Sequence, residues 1–212
     1  MSLNEAGLAS RPPRLDGRRQ RSVRTRQALI EAFMELLRRT PAMPKVSQIA
    51  AEAGCSKRSV FERFTHLDRL ALAAADYAIV QAQAEAVARN ADANRTTRIH
   101  SHVETRALVC EKWLPLWRLL ARQDQPELMD RAAMVRSLIL ERLKLMYGPE
   151  LSTLAESERD QLLVALAALI SFESLDQLRH FYGLSIEAAQ AVWRCAIDRL
   201  LPPDDLVLGN TG

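Results

Sequence analysis

The stretch IAAEAGCSKRSVFERF, residues 49–64, constrains the fold more than any other. Two apolar-periodic segments, each too short to persist alone as a helix, meet there at Gly54–Cys55–Ser56. Val46, Ile49, Ala50 and Ala53 line one side of the first segment, and Val60 and Phe64 one side of the second. Gly54 suits the left-handed residue that closes a helix, and Ser56 suits the residue that opens the next. The pattern predicts two short helices at a sharp angle, a helix-turn-helix. A third helix is needed to cover its apolar side. The preceding segment supplies one from Ser22, where Leu29, Ala32, Phe33 and Leu36 fall on one face until Pro41 and Pro44 stop it.

That packing leaves the N-terminal end of the second short helix exposed, with Lys57 and Arg58 on its first turn and Arg63 further on. Side chains at such an end reach base edges in a major groove, and the helix N-terminus itself favours phosphate. The charge distribution agrees. Residues 1–70 hold 14 Lys+Arg against 7 Asp+Glu, whereas the remainder holds 15 against 19. A basic N-terminal third on an otherwise mildly acidic chain predicts a polyanionic partner for that third alone, with uneven surface charge as the weaker alternative.

Elsewhere the chain also reads as helical. Alanine, leucine, arginine and glutamate dominate, glycines number only 7 in 212 residues, and alternating strand-like runs are absent. The expected fold is all-α. Thr65 and Asp68 resemble a capping box that opens a long helix through about Ala91. The polar NADANRTT (90–97) reads as a boundary, followed by helices over about 98–122, 127–147, 156–181 and 185–201. Pro115 predicts a break near Trp113. The expected divisions are a disordered basic arm (1–21), a helix-turn-helix domain (22–67), a helical regulatory and dimerisation domain (68–201) and a tail (202–212).

Cys55, Cys110 and Cys195 form no CxxC pattern, which argues against a zinc or disulfide framework and for a reducing compartment. The first thirty residues lack an apolar signal core, and LLVALAALI (162–170) is too short to span a bilayer. A cytoplasmic chain without a membrane partner is expected. No nucleophile–base pair, metal spacing or phosphate loop is present, so neither a catalytic site nor a cofactor is expected. His100, His102 and Glu104 do not share one helix face, which disfavours a metal site.

Residues 46–70, VSQIAAEAGCSKRSVFERFTHLDRL, resemble the DNA-binding signature of the TetR family of bacterial transcription regulators. Ile49–Ala50, Ala53–Gly54, Ser56 and Phe64 carry the match, and FESLDQLRHFYGLSIEAAQAVW (172–193) is similar to a C-terminal segment common in that family. The resemblance implies about nine helices: an N-terminal three-helix helix-turn-helix module joined by a long fourth helix to a larger ligand-binding and dimerisation domain. It implies a homodimeric repressor on an inverted repeat in double-stranded DNA, released by a small-molecule effector. Three positions depart from the family pattern. Lys45 stands where Thr or Ser often caps, Phe61 where Tyr is common, and Leu67 where Lys is frequent.

On this reading Lys57, Arg58 and Ser59 read bases beside the cap Ser56, with Glu62 and Phe61 touching a cytosine amine and a thymine methyl. Lys45, Arg63 and Arg24 hold phosphates. Cys55 in the turn is expected to pack, with a redox role as the lesser alternative. Trp113, Trp117, Met134 and Phe172 are the candidate lining of an apolar ligand pocket. The apolar helix at 162–175 and the stripe Ile186, Ala189, Trp193 and Ile197, together with Leu166 and Ile170, are the candidate dimer interface. The competing reading is a helical protein-interaction adaptor whose helix-turn-helix no longer reads DNA.

Overall fold

The computed structural model describes residues 17–40, 42–86, 89–122 and 126–203. Every regular element among them is a helix. The first, α1 (Gly17–Arg39), buries Leu29, Ile30, Phe33 and Leu37 almost completely. Residues 17–21 belong to this helix rather than to a disordered arm. Arginine is a good helix former and no proline follows Pro13 in this run, so the basic segment propagates the helix instead of ending it. The arm's remaining residues, 1–16, lie outside the described residues, as does 204–212 of the tail.

Helices α2 (Val46–Glu52) and α3 (Lys57–Arg63) form the helix-turn-helix, α2 packing on α1 and α3 on α2, with Val60 and Phe64 completing the shared core. Gly54 sits between them at φ +62°, a conformation an L side chain resists, and the Cys55 N–H donates to the Ala50 carbonyl at 2.9 Å. Ser56 caps α3 by accepting from the Ser59 N–H at 3.1 Å. Lys45 cannot accept such a bond. Instead Gln48 reaches back to the Lys45 N–H at 2.8 Å, giving half of a capping box.

The fourth helix, α4 (Leu67–Glu85), is shorter than the sequence suggested. It opens at His66 without a side-chain cap, so Thr65 and Asp68 do not form the expected box. Its first half packs on α1 through Leu70, Ala71, Ala73 and Ala74. Asn90, at φ 59°, turns the chain toward α5 (Arg95–Leu120), which Asn94 caps through the Thr97 N–H at 2.9 Å. Helix α5 runs unbroken through Pro115 rather than breaking near Trp113. Packing on both sides of it, at Trp113, Leu114 and Leu116, offsets the one hydrogen bond that proline removes.

Helix α6 (Pro126–Leu151) kinks at Tyr147 and continues, because Pro149 is tolerated in the first turn after the kink. The long apolar run then divides. Helix α7 (Glu156–Leu169) ends at Ile170, Ser171 caps α8 (Phe172–Asp176), and a π-helical turn (Gln177–Phe181) follows. By length and composition, residues 156–181 are apolar enough to cross a membrane. They form no single rod: the break at Ile170 exposes a carbonyl to which Arg106 Nε donates at 2.9 Å. Gly183, at φ +67°, reverses the chain into α9 (Ile186–Leu200), capped by Ser185.

Two apolar clusters share α5. Val109, Trp113 and Leu116 join the helix-turn-helix core with α1–α4, whereas Ile99, Val103, Ala107 and Cys110 join α6, α7, α8 and α9. Phe172 touches both clusters. The buried ion pair Arg98–Glu150 ties the start of α5 to the end of α6.

Candidate functional site

The exposed side of α3 is built by its own capping. Ser56 and Ser59 are joined by their hydroxyls at 2.9 Å, which fixes the first turn and leaves Ser59 half-buried. Ser59 is therefore the least available of the three residues expected to read bases. Lys57, Arg58 and Arg63 are exposed, and Phe61 is 56% exposed despite its size. Arg58 Nε donates to Glu62 at 2.9 Å, one turn on. An exposed pair at this spacing contributes only about 0.3–0.5 kcal/mol, so it opens readily for a stronger partner.

Lys45 and Arg24 lie exposed on the flanks of this face, one at the start of α2 and one on α1. Arg26 stacks over Phe64 with its guanidinium 5.2 Å from the ring centroid, fixing the α1 extension against the end of α3. Cys55 is half-buried against the helix-turn-helix core.

A cavity of about 390 Å³ lies between α4, α5 and α6. Its walls are Ile79, Ala82 and Gln83 from α4, then His102, Arg106 and Val109 from α5, then Val135, Leu138, Ile139, Arg142 and Met146 from α6, with Ile170 at the break after α7. None of Trp113, Trp117, Met134 and Phe172 lines it. Trp113 is buried edge-on to Tyr77, and Trp117 stacks on Phe172 with centroids 6.1 Å apart, so these rings seal the seam between the two clusters. Met134 is 54% exposed on α6, while its neighbours Val135 and Leu138 face the cavity.

The lining is not purely apolar either. Arg89, Arg106 and Arg142 all reach it. His102, buried in the wall, shares a hydrogen bond between Nδ1 and the Tyr147 hydroxyl at 2.8 Å. Burial first, then the cations Arg106 and Arg142, pushes its pKa down to about 3, so the ring is neutral. His100 and Glu104 lie exposed on the outer side of α5. The missed signal was periodic: His102 and Arg106, like Leu138 and Arg142, are four residues apart on their helices.

Leu166, Ile170, Ala189, Trp193 and Ile197 are each no more than 1% exposed, and Ile186 packs against the same cluster. The first five are committed to the protomer's own core, and Ile186 is half-buried beside them. The same helices expose a different apolar set: Val164, Ala165 and Ala168 on α7, and Ala191, Val192 and Leu200 on α9.

No protein-family model and no curated protein matches the sequence. Solved structures do. A TetR-family member from Streptomyces coelicolor A3 is similar with a TM-score of 0.52 and 22% identity, over 84% of this chain and 99% of that one. The multidrug-binding protein EbrR, in complex with malachite green, is similar with a TM-score of 0.51 and 21% identity, over 84% of this chain and 98% of that one. The chain thus has the fold of TetR-family regulators over 84% of its length.

Proposed function

We propose that the chain is a DNA-binding transcription regulator of the TetR type, acting in the cytoplasm as a homodimeric repressor that a small molecule releases from an inverted-repeat operator. The observation that carries this reading is α3, a capped helix whose N-terminal turn presents Lys57 and Arg58 with Phe61 and Arg63 beside them, all exposed. A helix held by its inner face and cationic on its outer face suits the major groove. In this reading Lys57 and Arg58 contact bases, Phe61 a thymine methyl, and Lys45, Arg63 and Arg24 phosphates.

A second copy is needed because operator half-sites lie about 34–36 Å apart, beyond the reach of one head. The exposed apolar face of α7 and α9, with Val164, Val192 and Leu200, supports pairing there. The cavity between α4, α5 and α6 supports an effector site, since α4 also carries the helix-turn-helix.

Selection of bound sequences from a random DNA pool, followed by titration at several salt concentrations, tests the reading. The expected result is an enriched inverted repeat whose affinity falls steeply with salt. Weak, sequence-blind binding would overturn it and favour the protein-interaction adaptor.

A further inference from the structure

The cavity has an electrostatic imbalance that an apolar ligand would not need. Three arginines reach its lining, and not one aspartate or glutamate does. Arg118, Arg131 and Arg179, on the same or neighbouring helices, each pair with a carboxylate. Arg106 and Arg142 do not. Arg106 donates Nε to the Ile170 carbonyl and lies over the Phe172 ring at 5.2 Å, and its Nη2 is buried without a partner. Arg142 makes no hydrogen bond or ion pair among the described residues, and burial alone disfavours its charge.

Both residues are half-buried, and a guanidinium nitrogen that is buried without a partner, as Arg106 Nη2 is, is costly unless something else completes it. His102 is neutral and already bonded to Tyr147. Beside the uncharged polar Gln83, Ser101 and Thr105, most of the remaining lining is aliphatic, with Ile79, Val135, Leu138, Ile139 and Met146, and no phenylalanine, tyrosine or tryptophan lines it. Aliphatic walls favour a saturated or branched body over a stacked aromatic one.

From this juxtaposition we infer that the cavity binds an amphipathic organic anion, its head held by Arg106 and Arg142 and its aliphatic body against α4 and α6. Planar guanidinium forks suit a carboxylate or a phosphate monoester alike. The inference rests on the reading of this cavity as the effector site, but binding can be measured without DNA.

Isothermal titration of the DNA-free protein with decanoate, decyl phosphate, decanamide and decyltrimethylammonium tests it. Decanoate, decyl phosphate or both should bind at least tenfold more tightly than the neutral amide, and the cation should bind least. The tighter of the two anions identifies the head group. Arg142→Gln should reduce the preferred anion to the level of the amide while leaving the amide unchanged. Because Arg106 also holds the Ile170 carbonyl, Arg106→Lys is the second variant, keeping charge but losing the fork. It should weaken anion binding without lowering Tm as far as Arg106→Ala.

Equal affinities for anion and amide, tighter binding of the cation, no binding of either anion below millimolar concentration, or an unchanged anion affinity in Arg142→Gln would each overturn the inference. An anion that binds as expected yet leaves operator binding untouched would preserve this site and overturn its role as effector. Release of DNA by the amide as readily as by the anion would do the reverse.

Discussion

At the scale of single residues, His102 is a titratable ring held away from water. Burial first, then the cations Arg106 and Arg142, hold its ring neutral with a pKa of about 3, and Nδ1 shares a hydrogen bond with the Tyr147 hydroxyl. The unfolded chain protonates it near 6.5, so the folded value is the lower of the two. Below pH 6.5 the unfolded state therefore gains a proton that the folded state refuses. Stability is complete above that pH and falls by about 1.4 kcal/mol per unit as the pH drops toward 3. His102→Gln removes the titration. Urea denaturation at pH 7.5 and 5.5 should show the wild type losing clearly more stability than the variant, whereas matching losses would mean the ring is not held neutral. Cys110, two turns further along α5, is fully buried, which pushes its thiol up to about 11 and keeps it protonated near neutral pH.

At the scale of elements, legibility tracked how local the determining forces were. Gly54 and Ser56 act within one turn of the chain, so the helix-turn-helix was readable from residues 46–64 alone. At Pro115 the sequence predicts a break and the structure has none, because the penalty is local but its compensation, packing around Trp113 and Leu116, is tertiary. The lining of the cavity is not legible in the sequence for a related reason. The aromatic residues were conspicuous in sequence, yet only the mutual rotation of α4, α5 and α6 decides which stripes face one another. On α7 and α9 the most regular apolar stripe is the one the protomer's own core consumes, because periodicity marks a buried face without saying what buries it. The weaker stripe faces outward, with Val164 64% exposed. Val164→Arg places a charge on that surface without touching the core. Sedimentation equilibrium should show a dimer for the wild type and a shift toward monomer for the variant, with Tm per folded chain little changed. A variant that remains fully dimeric would move the interface elsewhere.

At the scale of the whole molecule, α4 is the element through which an occupied cavity can act on DNA. Its first half is part of the helix-turn-helix core, and its second half supplies Ile79, Ala82 and Gln83 to the cavity wall. Between these halves Arg131 of α6 grips Asp76 with two hydrogen bonds of 2.6 and 2.9 Å. Glu127 also reaches Arg69 nearer the head, at 3.4 Å. A ligand that pushes α6 away from α4 therefore transmits the displacement through these contacts, and two heads displaced in opposite senses no longer match half-sites a fixed distance apart. Couplings of this kind usually amount to about 5–150-fold in affinity, and the factor is reciprocal between the two sites. Ligand affinity measured with and without operator should differ by the same factor as operator affinity measured with and without ligand. Asp76→Asn weakens the grip at an exposed carboxylate far from the DNA-facing side chains. It should leave operator affinity in the absence of ligand near that of the wild type and shrink the coupling factor in both directions. Equal ligand affinity for free and DNA-bound protein would exclude the switch altogether. An undiminished factor in Asp76→Asn would instead route the coupling through the apolar contacts of α4 with α5.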